Sequence, residues 1–489
     1  MNDFLCGLTG QIVTPFDPIY NKARQEYNRA IQLYPLVIVY CRNKRDVSNA
    51  VIWSQKHGAP IRIRSGGHNY EGYSNGDFTL VIDISRMNNM DLDECSNQLY
   101  VESGVTNRQI YNFVSEKGYP FPGGTCPTVG VSGYTLGGGW GLSSRNLGLG
   151  CDSLVAVEMI NYEGAVIRAD RECNSDLFWA LQGAGGGNFG VIVSMTFNLP
   201  PKAEIVTLIE IDYLHVSSKE QEEFLSTWQE WLKTADCRVT LLSRIYNSVN
   251  DGLAMLVRGI FYGEPEEARK IMSDFLKLYG AVSNIEAMTF LEAVTIIGSV
   301  YPPYEKFQSV SRFVLKDFTN DQISQTVGLI KERAEGSVFA GLSMYAMGGR
   351  AAEVGTDDTA FFYRKAEYII WLDTVWEERR FAEDNREWIS KRFPCLEAMT
   401  TGSYVNFPYA KLPGYLEEYY GSHVYRLMKI KSKYDPFNTF TFPQGIKKSK
   451  EIGFTVPDFE ELPTDENEDT QIQPGDAKYR EFRYVTQKN

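Results

Sequence analysis

The pattern of apolar and polar positions changes character near Pro200-Pro201. Ahead of that point, a short helix is predicted over Tyr20–Tyr34, followed by LVIVYC (36–41), an unbroken apolar run that reads as a buried strand. In DVSNAVIWSQKHG (46–58) the apolar residues gather mostly on one helical face, with Asp46 as predicted cap and Gly58 as stop. A strand, PIRIRS, then runs directly into GGHNYEG (66–72). FTLVIDIS (78–85) and QLYVESGV (98–105) read as strands, and TNRQIYNFVSEKG as a helix between Thr106 and Gly118. SLVAVEMINYEGAVIRAD predicts a hairpin turning at Glu163-Gly164, and residues 175–200 predict helix, glycine turn and strand. Beyond Lys202, strands such as IVTLIEIDYL and LAMLVRGIFYG take turns with amphipathic helices such as SKEQEEFLSTWQEWLKTA, which predicts a second α+β unit whose sheet covers a face of the first. YAMGGR (345–350) reads as a turn, GSYVNFPYA (402–410) as strand-like, and EFRYVT in the acidic tail as a strand that docks back.

One stretch resists either period. GGTCPTVGVSGYTLGGGWG (123–141) holds eight glycines and a single long aliphatic side chain, Leu136, which argues against an ordinary helix or core strand. Bare backbone at this density either brings the main chain close to a large flat or phosphorylated ligand or forms a glycine-rich surface loop. The N–H groups of Ser65 to Asn69, at a strand end, can point at a pyrophosphate. A third glycine group, at 183–190, offers further backbone. His68 reads as a turn residue with a satisfied ring or as a reactive one; Cys126, also able to form covalent bonds and also on a backbone-exposing loop, favours the second.

Length and composition narrow the field. At 489 residues the chain exceeds one core, since domains run to ~100–200 residues. Its net charge of −13 argues against nucleic acid or an anionic membrane as partner. The N-terminus lacks a basic start and an apolar run, so neither a secretory signal nor membrane insertion is expected, and a bacterial-type cytoplasmic protein is the default. Eight scattered cysteines and four histidines indicate neither a metal centre nor a disulfide framework; a Cys6–Cys41 pairing stays open.

Together RSGGHNYEG, the 123–141 stretch, GGGNFGVIV, Tyr404-Val-Asn406 and YDPFNTF…FPQGI resemble, in order and spacing from about 35 to 446, the berberine-bridge-enzyme-like branch of the vanillyl-alcohol-oxidase flavoproteins. The resemblance implies an α+β fold: residues 1–201 as the N-terminal part of an FAD-binding domain, 202–400 as a substrate-binding domain with a mainly antiparallel sheet covered by helices, 401–446 returning to the FAD domain, and 447–489 as acidic linker and tail. It implies FAD joined through the His68 ring nitrogen to the 8α-methyl and through the Cys126 sulfur to C6. Arg64, Ser65, Gly66, Gly67, Asn69 and Gly72 would cradle the cofactor from the first loop. Gly123, Thr125, Gly130, Gly133, Gly137, Gly138 and Gly141 would do so from the second. Gly187, Asn188, Gly190 and Ile192 would meet the adenosine part, with Asn438 and Phe440 near the ring.

The implied reaction moves hydride from an alcohol or activated C–H of a small-molecule substrate to flavin N5, with O2 reduced to H2O2. Tyr404 is the implied base, its alternative being an aromatic lid; Tyr134 sits near the pyrimidine edge, Trp140 lines the substrate pocket, and Val129 leaves room for oxygen. The family's acidic residue near Tyr409 or Ala410 is missing, and Trp371 stands where carbohydrate oxidases tend to carry glutamine. Both changes make the expected pocket less polar and favour an aromatic, polycyclic or alkaloid-like substrate over an oligosaccharide. A dehydrogenase using another acceptor and a flavin-bearing structural protein of the spore-coat kind are the competing expectations.

Overall fold

The computed structural model describes residues 4–449, which places the predicted tail strand EFRYVT outside the described residues. Among those residues, strands form three sheets. In the four-stranded sheet, Val37–Tyr40 and Ile61–Arg64 both pair in parallel with Leu80–Asp83, which lies between them, and Gln11–Val13 closes the edge antiparallel. The helix Lys44–His57 makes the crossover, and its Val47, Ala50 and Val51 are fully buried against Val37, Val39 and Ile82. Asn43 rather than Asp46 caps it: the Asn43 side chain accepts from Asp46 N at 3.0 Å, while the Asp46 carboxylate accepts from Thr9 and from Arg42 N. Gly58 ends it in a left-handed conformation, as expected. The parallel strands thus deliver residues 65–72 at their carboxyl ends, where open α/β sheets place ligands.

The five-stranded antiparallel sheet contains the predicted 154–160 and 166–170 hairpin, with Val191–Asn198 bonded to the outer side of its first strand. The seven-stranded antiparallel sheet draws every strand from residues 205–376. Its period of two sorts side chains cleanly. Tyr368, Ile370 and Leu372 turn to the helix side, where Trp228 meets Tyr368 edge to face. Thr374 points the same way and donates to Asn385 of the helix Ala382–Glu397 at 2.7 Å. Trp371, Asp373 and Val375 turn to the opposite face, toward the glycine loops.

Three local expectations differ. Only Tyr20–Ala23 is helical, because the residues after it serve tertiary contacts: Tyr27 N donates to Gly67 O, and Asn28 pairs with Glu305. Residues 402–410 form turns rather than a strand, with one isolated bridge between Phe313 and Thr401. The glycine-rich stretch does contain a short helix, Val131–Leu136, since its buried Val131 and Leu136 supply an apolar side. The Cys6 and Cys41 thiols are free.

Candidate active site

One cavity of about 990 Å³ lies between the glycine loops and the seven-stranded sheet. Its loop wall is built by backbone touching backbone. A Cβ on Gly66 would fall on the Gly130 nitrogen, and a Cβ on Gly130 would fall on Ser65 Oγ, so the two loops meet only because both positions are glycine. Ser65 Oγ donates to Ser103 O at 2.9 Å, and Asn69 Oδ1 accepts from Glu71 N and Tyr73 N, fixing the first loop's turn.

His68 and Cys126 converge on one side chain. His68 Nε2 lies 2.8 Å from Thr128 Oγ1, and Cys126 Sγ lies 3.6 Å from the same oxygen. Tyr27 stacks on the imidazole at 4.3 Å between centroids, and Asn107 Nδ2 donates to Cys126 O, so both nucleophiles are held from behind. Burial lowers the His68 pKa to about 4 and favours the neutral ring. Burial raises the Cys126 thiol, opposed by hydrogen bonds from Thr128 and the Val129 backbone. A bare-backbone trough, two reactive side chains facing one point and a large cavity fit FAD, with the 65–69 backbone and the glycines at 185–190 as its lining.

Of the expected cofactor residues, Ser65, Gly66, Gly67 and Asn69 line the cavity, as do Thr125, Gly130 and Gly133. Gly187, Asn188, Gly190, Ile192 and Phe440 line it from the far end. The others sit behind the wall. Arg64 is turned inward to a buried pair with Asp83 at 2.6 Å, with Glu26 at 3.6 Å, and its charge is spent there. Gly72 packs on Ile31, and Asn438 sits at positive φ in a turn set by Asp435. Gly123 and Gly141 abut one another, Gly137 abuts Asn406, and Gly138 abuts Phe361: each makes room for a neighbour rather than for a ligand. Lys431, fully buried, ties the end of the chain to this wall by donating to Asn188 O, Phe440 O and Asp435, each at 2.6 Å.

Tyr404, Tyr134, Val129 and Trp140 all line the cavity. The Tyr134 hydroxyl is shared between Pro122 O and Gly139 O, at 2.9 and 2.8 Å, so it braces the loop and does not point at a ligand. Trp140 Nε1 donates to Ala346 O at 2.7 Å, leaving its ring edge on Tyr345. Tyr404 is arranged differently. Its oxygen accepts from Gly139 N at 3.0 Å, Trp140 N at 3.2 Å and Asn406 Nδ2 at 3.0 Å. Three donors exceed what a neutral phenol oxygen readily accepts and suit a phenolate. Burial still outweighs them and pushes the pKa up to about 12.

The sheet wall is aromatic, as the sequence suggests, with Trp371, Tyr345 and a Tyr70–Phe407 stack at 5.1 Å. It is not apolar: Arg244, Asp373 and Glu305 face the same cavity. Asp373 Oδ1 is buried without a hydrogen-bond partner. Burial raises its pKa to about 7, Arg244 lowering it and Glu305 raising it further. The lone carboxylate in the apolar strand YIIWLDTVW and the lone arginine in LLSRIYNS are the sequence signals for these groups.

Residues 35–170 match the family described as FAD binding domain, and residues 403–447 match the one described as berberine and berberine like. The uncharacterised FAD-linked oxidoreductase YgaK of Bacillus subtilis (strain 168) is 38% identical over 447 residues, 90% of this chain and 97% of the relative. Reticuline oxidase of Papaver somniferum is 30% identical over 458 residues, 84% and 83% of the two chains. Among solved structures, the wild-type BBE-like 1 of Physcomitrella patens superposes with a TM-score of 0.85 at 24% identity, covering 92% of this chain and 99% of its own. A chitooligosaccharide oxidase superposes with a TM-score of 0.83 at 24% identity, with 92% and 99% covered.

Proposed function

The chain belongs to the berberine-bridge-enzyme-like FAD-linked oxidoreductases, and on that footing we propose that it is an oxidase whose flavin is held covalently by both His68 and Cys126. The observation that carries this reading is the convergence of the two cavity-lining nucleophiles on Thr128. FAD, when bound, supplies the acceptor for the two electrons that leave the substrate, with O2 as reoxidant and H2O2 as product.

The protein's own residues supply the rest. Tyr404, as the phenolate held by the Gly139, Trp140 and Asn406 donors aimed at its oxygen, takes the proton of a substrate hydroxyl and becomes the neutral phenol. Those donors are in place before substrate arrives, so the ionised base is stabilised without reorganisation. Tyr70, Phe407 and Trp371 hold the substrate's flat body. Val129, which lines the cavity close to Cys126, leaves space that a longer side chain would fill. An aromatic-bodied alcohol is therefore favoured over a sugar.

Reducing the purified protein with dithionite without air and then mixing it with aerated buffer tests the oxidase reading. Fast return of the yellow absorbance with one equivalent of H2O2 is expected. Slow return without peroxide, alongside fast return of the yellow absorbance when a quinone acceptor is added, identifies a dehydrogenase instead.

A further inference from the structure

Arg244 lines the cavity and is left unused by the proposed chemistry. It lies midway along the strand Val239–Ser248, on the face that looks into the cavity. Its Nε donates to Ser343 Oγ at 2.6 Å. The guanidinium carbon stands 5.2 Å from the Phe339 ring centroid and 5.6 Å from that of Trp371, which orients the fork against two aromatic faces. Its two terminal nitrogens have no hydrogen-bond acceptor, and no carboxylate lies within 4.0 Å among the described residues. The deeply buried arginines differ. Arg64 pairs with Asp83, Arg364 with Asp152 and Arg312 with Glu418, and Arg145 donates to the carbonyls of Val239, Met347 and Ala235. Arg244 itself is only half-buried and lines the open cavity, where a planar fork with both ends free matches a carboxylate.

Resting on the reading of this cavity as the oxidation site, we infer that Arg244 is a substrate anchor and that the natural substrate carries a carboxylate on an aromatic or similarly flat body. Asp373 completes the receptor. It lines the same wall, and its carboxyl, which burial and Glu305 raise to about 7 against the lowering effect of Arg244, is protonated in part near neutrality and can then donate to a ligand carboxylate that Arg244 binds at the other oxygen. The ring system of Tyr70, Phe407 and Trp371 borders this polar end and accommodates the flat body. An ammonium group would meet the two carboxyls but also the permanent charge of Arg244, so the same geometry disfavours amines.

Calorimetric titration of the holoenzyme with benzoate, benzyl alcohol and benzylamine tests this, with R244M and S343A alongside the parent. Benzoate is expected to bind about tenfold or more tighter than benzyl alcohol, since charge-assisted hydrogen bonds contribute ~1.5–3 kcal/mol. R244M should erase that advantage, and S343A, which frees the guanidinium from its tether, should reduce it. Benzylamine binding more tightly than benzoate, or benzoate binding R244M as it binds the parent, overturns the inference. Where R244M does not fold, unchanged benzoate affinity in S343A has the same force. The visible spectrum of each sample keeps the two readings apart: a yellow protein indifferent to benzoate sinks the carboxylate anchor alone, whereas a colourless one sinks the flavin reading.

Discussion

The two walls of the cavity are made of different material. The loop wall, from residues 65–72, 123–141 and 183–190, carries bare backbone between its few side chains, and its shape depends on positions such as Gly66 and Gly130 where a single Cβ would collide with the facing loop. The sheet wall is side chain on a regular backbone: its strands pair in antiparallel register with one shift between Ser337 and Phe339, and its specific character comes from which residues fall on the inward face. The first wall admits no Cβ at positions such as Gly66 and Gly130, and its bare N–H groups allow the close approach that the proposed cofactor role needs. The second accepts exchange of side chains without disturbing the sheet, which is how one fold comes to serve many substrates. A rigid wall for what stays bound and a variable wall for what turns over is the division this contrast teaches.

Substitutions should therefore hurt in different ways on the two sides. The largest effect is expected for Gly66→Ala, because the added methyl falls on the Gly130 nitrogen and pushes apart the loops bearing His68 and Cys126. The variant should purify nearly colourless, with its absorbance ratio at flavin and protein wavelengths reduced severalfold or more. A fully yellow G66A protein would break the claim that backbone contact shapes this wall.

Next in size is Tyr404→Phe, which should keep its flavin and lose about 10²–10⁴-fold in the rate of flavin reduction by an alcohol substrate. With the phenol pushed up to about 12, only its ionised fraction acts as base, so the parent's reduction rate should climb with pH through the neutral and mildly alkaline range. An inflection near 7 that Asp373→Asn removes would instead give the base role to Asp373, whose pKa is raised to about 7 among Arg244, Glu305, Tyr345 and Tyr301. The same contrast makes Arg244→Met the mildest of these changes: it should cost benzoate affinity about tenfold while leaving the cofactor wall intact.

What could be read from the chain alone follows the same division. Strand and helix periods located the parallel sheet, the 154–170 hairpin and the alternating 205–376 region, and the glycine clusters marked the loops with His68 and Cys126. Short motifs carry that information because backbone-made sites are local. Arg64 was misleading for the opposite reason: it neighbours the loop in sequence, yet its side chain is consumed by Asp83 and Glu26, partners that only the folded sheet supplies. Tyr134 lines the cavity, but the Pro122 and Gly139 carbonyls that occupy its hydroxyl cannot be seen from spacing. Arg244, Asp373 and Glu305 are drawn to one cavity from separate elements by strand register and loop path, so no local pattern announces their meeting, though a lone charge within an apolar strand is a usable warning.

Mass measurement of the denatured, intact protein tests the central claim most directly. The parent, H68A and C126A should each retain one FAD through acid unfolding, and the double variant H68A/C126A should release it into the filtrate. A parent chain that unfolds to its bare polypeptide mass, with all flavin in the filtrate, would contradict the account.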